Sequence, residues 1–431
     1  MGRAYQCATQ LAHSCVMMSS MKRIERVRLY PTPSQRRRLG FMLDVTRDFF
    51  NACLQQRRDA WRLRRHSAST KEQYHELTAL RAEDARVAAV YRELEDAVLH
   101  RLDLAFAAFF RRIRKGETPG YPRFRSRSRW DQLEFPHGDR ALKFNAGQSK
   151  VKVPGVGFVA LRRGRRVPEF GRAWLVRKGE HWYTSFECER KVTPLPSTGK
   201  AIGIDRGVHV LAATSEGKLI GNPRFLEKAR LLIERLQRAV AGRKRGGKNR
   251  RKAVRLLARA HERVKEARRD FMHKTARKIV NGADVVVLEA LNLRAMTRSA
   301  KGTIEKPGRK VAAKAGLNRA ILDASFGLLR QMIVAKAEET ARTVVEVDPR
   351  YSSQECARCA QIAAESRRGR RYHCIGCGFS VHADVNAALV IWRRAELRPA
   401  ARGASLEDLN DPRSVPDAGA EPARCDQEVA A

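Results

Sequence analysis

Ala201-Ile-Gly-Ile-Asp-Arg-Gly-Val208 is an apolar strand that ends on a carboxylate, Asp205, with a glycine on either side of the acid. Two more acids stand in similar places: Glu289 closes Asp284-Val-Val-Val-Leu-Glu289, and Asp384 lies in His382-Ala-Asp-Val-Asn-Ala387. Each has an ordinary explanation by itself. Asp205 can cap a turn, Glu289 can pair with an arginine, and Asp384 suits the N-cap of a helix over 385–394. Together they say more, because a buried ionised carboxylate is costly without a compensating cation, and three that converge need a multivalent one. The pattern therefore reads as a metal-dependent phosphoryl-transfer site.

Working outward from Asp205, a second strand follows at 208–214, then the turn Ser215-Glu-Gly217 and a short third strand to Ile220. Three antiparallel strands with an acid on the first match the opening of an RNase H-like α/β domain. From 225 to 280 the apolar residues take helical spacing, broken at Arg243-Lys-Arg-Gly-Gly-Lys-Asn-Arg-Arg-Lys252, so two antiparallel helices with a basic tip are expected. Gly242, Gly247 and Lys248 there have the spacing of a phosphate-binding loop. Asn249 replaces the hydroxyl residue that would ligate magnesium and no strand precedes, so that reading fails. The stretch 291–316 is basic and lacks periodicity, 318–340 reads as one helix, and Thr343-Val-Val-Glu-Val347 as a parallel-type strand.

Composition names the class of partner. Of 431 residues, 87 are Lys or Arg and 46 Asp or Glu, a net charge of +41. Such an excess calls for a polyanion, and nucleic acid fits better than an acidic lipid surface. No run approaches the ~18 apolar residues of a spanning helix, so no membrane partner and a cytoplasmic location are expected. Residues 1–21 are expected to be a disordered or untranslated extension, with Met21 an alternative start, and 397–431 a disordered tail.

The first part of the chain holds a basic strand over 22–30, ended by Pro31-Thr-Pro33, and a helix with Ser34 as N-cap that carries Leu39, Leu43, Phe50 and Leu54 on one stripe. A second helix, about 94–114, repeats Val98, Leu102, Phe106, Phe109 and Ile113 at helical spacing. Prolines and glycines exclude a helix from Gly116 to Trp130, where arginines alternate with Tyr121, Phe124 and Trp130 as phosphate contacts and stacking faces. Short strands follow from 141 to 190, including a hairpin over 174–188 with Trp182, Thr184, Phe186 and Cys188 on one face. They suggest a small β-barrel.

Four of the nine cysteines form two C-x-x-C pairs, Cys356/Cys359 and Cys374/Cys377, separated by fourteen residues and followed by Gly378. That is the spacing of a tetrahedral Cys₄ zinc ribbon, with His373 and His382 near enough to be alternative ligands. Magnesium prefers oxygen ligands, so the zinc is structural and separate from the carboxylates.

Gly203-Ile-Asp-Arg-Gly207, Val286-Val-Leu-Glu289 and Asp384-Val-Asn-Ala387, with the cysteine ribbon between the last two, resemble the split RuvC nuclease and inserted zinc module of the TnpB family. Its members are RNA-guided endonucleases of insertion sequences, related to compact type V CRISPR nucleases. Tyr30-Pro-Thr-Pro-Ser-Gln35, Gly120-Tyr-Pro-Arg-Phe-Arg125, Asp270-Phe-Met-His-Lys274 and Leu317-Asn-Arg-Ala-Ile-Leu-Asp323 extend the resemblance over about 22–396. It implies a wedge-like barrel from 22–33 and 116–195, a helical recognition lobe at 34–115, a RuvC-like nuclease from 200–348 and 378–396, and a zinc ribbon at 349–377. It also implies that Asp205, Glu289 and Asp384 are catalytic and share two magnesium ions, and that a guide RNA directs the protein to double-stranded target DNA. Nucleic-acid contacts are expected from Tyr121, Arg123, Arg125, Arg243, Lys244, Arg245, Lys248, Arg250 and Arg251, and an arginine near Arg367 can steady the transition state. His382 stands where many relatives carry an acid, and 367–374 is shortened. The competing functions are a guided DNA-binding repressor that does not cut, which would lose one or more of the acids, and a transposase that joins strands.

Overall fold

The computed structural model describes residues 20–162, 166–303 and 305–395; the expected tail at 397–431 and nearly all of the expected extension lie outside them. The described residues fall into two compact units, 20–191 and 192–395.

In the first unit strand β1 (Ser20–Tyr30) is followed by helices α1 (Pro33–Arg64), α2 (Thr70–Glu83) and α3 (Arg92–Arg114). Strand β1 starts earlier than expected, and Met21 already pairs with Arg190 of the last strand. The N-cap of α1 is Thr32, not Ser34: its hydroxyl accepts from the Gln35 N–H while the Gln35 side chain accepts from the Thr32 N–H, and Pro33 is preset for the first turn. Leu39, Leu43, Phe50 and Leu54 are buried as their spacing requires, whereas on α3 the stripe sinks at Val98 and Leu102 and surfaces by Ile113.

Strands β2 (Gln132–Phe135), β3 (Lys143–Phe144), β4 (Lys150–Val153), β5 (Gly157–Leu161), β6 (Ala173–Lys178) and β7 (His181–Lys191) join β1 in one sheet, ordered β2-β6-β7-β1-β5-β4-β3. The hairpin β6–β7 turns at Gly179, which takes a positive φ, and buries Trp182, Thr184, Phe186 and Cys188 on one face. The expected barrel does not close among the described residues. Its edge strands β2 and β3 are not paired with each other, so the sheet stays open.

The second unit is built on the sheet β10-β9-β8-β11-β12, from β8 (Ala201–Asp205), β9 (Val210–Thr214), β10 (Leu219–Gly221), β11 (Val285–Glu289) and β12 (Thr343–Val347). Strands β8 to β10 are antiparallel neighbours, and β8, β11 and β12 run parallel. Helices α4 (Arg230–Ala241) and α5 (Lys248–Gly282) form the expected pair with a basic tip. The single helix expected over 318–340 is two, α6 (Val311–Ala324) and α7 (Phe326–Glu339), because Ser325 takes a left-handed φ of 55° and breaks the hydrogen-bond ladder. Helix α6 also claims the end of the stretch expected to be irregular. Asp323 accepts from Arg268 at 2.5 Å and from the Leu226 N–H at 3.1 Å, which ties α6 to α5.

Ile202, Ile204, Val286 and Leu288 bury one sheet face against Met272, Ala276, Leu329 and Ile333 of α5 and α7. A small sheet, β13 (Arg367–Arg368), β14 (Arg371–His373) and β15 (Ser380–His382), leads into helix α8 (Ala383–Arg394), which packs on β8. None of the described helices is long and apolar enough to cross a membrane.

Candidate active site and metal centre

Side chains alternate across a strand, so the burial of Ile202, Ile204, Val286 and Leu288 on the α5/α7 face leaves Gly203, Asp205, Val287 and Glu289 on the other. The parallel register pairs Ile204 with Leu288, so the next residues, Asp205 and Glu289, stand side by side at the carboxyl ends of adjacent strands. That edge is where open α/β sheets hold ligands. Helix α8 lies on the same face, and Gly203 lets it approach: a Cβ at Gly203 would lie 2.3 Å from the Ala388 carbonyl oxygen and 2.7 Å from Trp392 Cβ. Asp384 rides in the first turn of α8. The N-cap is not Asp384 but His382, whose Nδ1 accepts from the Asp384 N–H at 3.2 Å.

Electrostatics report the meeting of the three acids. The Asp205 carboxyl is pushed up to about 7, first by burial and then by the negative charges of Glu289 and Asp384, against the pull of Arg367 and the Arg206 N–H. Burial also raises Glu289, opposed by the Ser352 hydroxyl and the charges of Arg206 and Arg394. Ser352 donates to Glu289 Oε1 at 2.6 Å, and Arg367 Nη2 donates to Asp384 Oδ1 at 3.0 Å. With Asp384 drawn to Arg367 and Glu289 to Ser352, the three carboxylates are spread more widely than the cysteine cluster.

Cys356, Cys359, Cys374 and Cys377 have sulfurs within 4.8 Å of one another, the one group of three or more metal-binding side chains so close among the described residues. Cys356 and Cys377 are 3.7 Å apart and Cys359 and Cys374 3.6 Å. A tetrahedron with Zn–S bonds of ~2.3 Å has edges of ~3.8 Å, so the sulfurs fit zinc. Burial works to raise the Cys374 thiol, but N–H groups of Cys377 and Gly376 and hydrogen bonds from Cys359 and Cys356 bring it to about 7, whereas burial pushes Cys356 up to about 12, so a metal bound here must displace protons. His373 and His382 stay outside the cluster. The carboxylate edge offers oxygen alone, a set suited to magnesium.

The expected nucleic-acid residues form two groups. Tyr121 is exposed and meets the rings of Phe106 and Phe109 edge-on, 5.6 and 5.2 Å between centroids. Arg123 is exposed, while Arg125 is pinned by its backbone to Asn51 and its guanidinium lies 6.0 Å from the Phe50 ring. Trp130, expected as a stacking face, is core instead: it is 2% exposed and donates to the Thr46 hydroxyl at 2.9 Å. In the second unit Arg243, Lys244, Arg245, Lys248, Arg250 and Arg251 surround the turn between α4 and α5. Arg243 and Arg251 bond the carbonyls of Asn249 and Gly246 there, which shapes the tip.

Two residues at the carboxylate edge escaped sequence reasoning. Ser352 gave no signal, since a serine before a cysteine pair is unremarked. Arg206 could have been noticed as a cation next to the strand-end acid.

A family model described as "Probable transposase" matches residues 184–300, a "Cas12f1-like, TNB domain" model matches 326–391, and a "Helix-turn-helix domain" model matches 18–66. In this structure the last stretch is strand β1 and the single helix α1. Among curated proteins, "Putative RNA-guided DNA endonuclease InsQ" of Escherichia coli K12 is 31% identical over 290 residues, 67% of this chain and 70% of that protein. A "Putative RNA-guided DNA endonuclease" of Streptomyces pristinaespiralis is 30% identical over 385 residues, 86% and 89% of the two chains. The fold is similar to that of the mini-RNA-guided endonuclease CRISPR-Cas phi3, with a TM-score of 0.50 at 10% identity, covering 93% of this chain and 96% of the other.

Proposed function

This chain belongs to the TnpB family, and from that membership we propose that it is an RNA-guided, divalent-metal-dependent DNA endonuclease of a transposable element. The observation that carries the metal dependence is the placement of Asp205 and Glu289 side by side at the ends of β8 and β11, with Asp384 in the first turn of the helix that packs on Gly203; the charges of Glu289 and Asp384 join burial in pushing the Asp205 carboxyl up to about 7. Acids so placed repel one another and lower the cost of a cation among them.

In this reading Asp205, Glu289 and Asp384 supply the oxygen ligands of a two-magnesium site. When bound, such ions activate a water, orient the scissile phosphate and stabilise the departing 3′ oxygen. The protein does the rest. Ser352 fixes the rotamer of Glu289, and Asp205 would hold a cation in its deprotonated form. Arg367, 3.0 Å from Asp384, sets a positive charge where negative charge grows on the phosphate. The cysteine cluster, with zinc, fixes the hairpin β13–β14 that carries Arg367.

For the partners, the net charge of +41 supports a polyanion, and the relatives' names supply guide RNA and target DNA. The strands at 22–33 and 116–195 act as the wedge and 34–115 as the recognition lobe. The nuclease comprises 200–348 and 378–396, with the zinc ribbon at 349–377. Tyr121, Arg123 and the cations at the α4–α5 tip contact the nucleic acids.

Purified protein with its co-purifying RNA, sequenced and then challenged with a DNA library, tests this. Magnesium-dependent double-strand cuts beside sequences complementary to the RNA are expected. Guided binding without cutting, or strand joining, would replace the proposal with a repressor or a transposase.

A further inference from the structure

Arg206 follows Asp205 directly and is 5% exposed, yet among the described residues its guanidinium forms no ion pair with a carboxylate. Instead Nη2 donates to the main-chain carbonyl of Glu289 and Nη1 to that of Phe326 at 3.4 Å, while Nε is buried with no partner among the described residues. The backbone pairing of β8 with β11 ends at Ile204 and Leu288. Arg206 thus continues the ladder with a side chain, reaching from the end of β8 to the last residue of β11 and the first of α7. A buried charge with an unmet donor is expensive, and an apolar side chain would fill the same space more cheaply.

We propose that Arg206 is a positioning residue, a strap that fixes the main chain of Glu289 beside Asp205 so that both carboxylates meet the same cations. Its planar fork reaches two carbonyls at once, which a lysine ammonium on a flexible stem does not reproduce. The inference rests on the nuclease reading of the carboxylate edge, and it concerns geometry rather than charge.

Arg206→Lys is the decisive variant because it keeps the charge and loses the fork. Calorimetric titration of the full-length protein with Mn²⁺ should show it binding at least fivefold more weakly than wild type. In the assembled RNA complex it should cut target DNA about tenfold more slowly at saturating DNA, with guided binding unchanged. Arg206→Met should lose more than a hundredfold in rate, and the lysine variant should recover part of that loss at a similar melting temperature. Mn²⁺ affinity and cutting by Arg206→Lys within twofold of wild type would overturn the inference, as would a parallel loss of cutting and guided binding. If wild type itself does not cut, the nuclease reading fails, and the Mn²⁺ titration still judges Arg206. If wild type cuts and both variants match it, the strap alone is refuted.

Discussion

Gly203→Ala tests how the carboxylate edge is assembled without touching an ionisable group. The added Cβ would lie 2.3 Å from the Ala388 carbonyl oxygen, 2.7 Å from the Trp392 backbone nitrogen and 2.7 Å from Trp392 Cβ. All three belong to α8, so the helix must withdraw by roughly 1 Å to restore van der Waals contact, and Asp384 leaves with it. Overpacking of this kind costs about 1–3 kcal/mol, and at roughly 2–4 °C per kcal/mol for a unit of this size the melting point falls by about 2–12 °C. A misplacement of ~1 Å in a reacting group can cost ~10²-fold in rate. Thermal unfolding and single-turnover cleavage by the reconstituted RNA complex measure the two effects. Gly221→Ala is the control, since that glycine has nothing within 4 Å of its ideal Cβ. Wild-type melting and cleavage in Gly203→Ala would refute the idea that this close approach sets the position of Asp384.

Three further outcomes are expected. Because Asp205 holds its proton up to about 7 instead of its ordinary 3.8, protonation stabilises the metal-free fold. That stabilisation is complete below about 4 and gone above about 7, so magnesium must displace a proton in acid, and apparent Mg²⁺ affinity should rise with pH until about 7 and then level off. A pH-independent affinity between 5 and 7 would contradict the raised proton affinity of Asp205. Cys374→Ser should release zinc and lower hydrogen-exchange protection over β13 to β15, and a zinc-replete variant with full protection would show that the cluster is not structural. Arg367→Ala should slow cutting by about 10- to 100-fold and move the Asp205 proton further up, since Arg367 now pulls it down. Unchanged rates across the pH range would remove Arg367 from the mechanism.

Much of this was legible because strand periodicity and cysteine spacing are local signals. The apolar runs before Asp205 and Glu289 fix which residues leave the strand and on which face, and the two C-x-x-C pairs specify four sulfurs. Long-range choices were less visible. Nothing in the sequence near Trp130 distinguishes a stacking face from a core indole, because its partner Thr46 lies far back in the chain on α1. The break at Ser325 has no glycine or proline to announce it. A cap can be supplied by an imidazole, so the propensity that favoured Asp384 lost to His382. Barrel closure depends on whether the two edge strands pair, which periodicity over two to four residues does not resolve.

The most direct measurement compares wild type with Asp205→Ala, Glu289→Ala and Asp384→Ala, each assembled with the same guide RNA, for DNA cutting and guided DNA binding in magnesium. All three substitutions should abolish cutting while leaving binding within a few-fold of wild type, since on the proposed reading each removes a ligand of one shared site. A variant that still cuts at the wild-type rate would place that carboxylate outside the site and contradict the account.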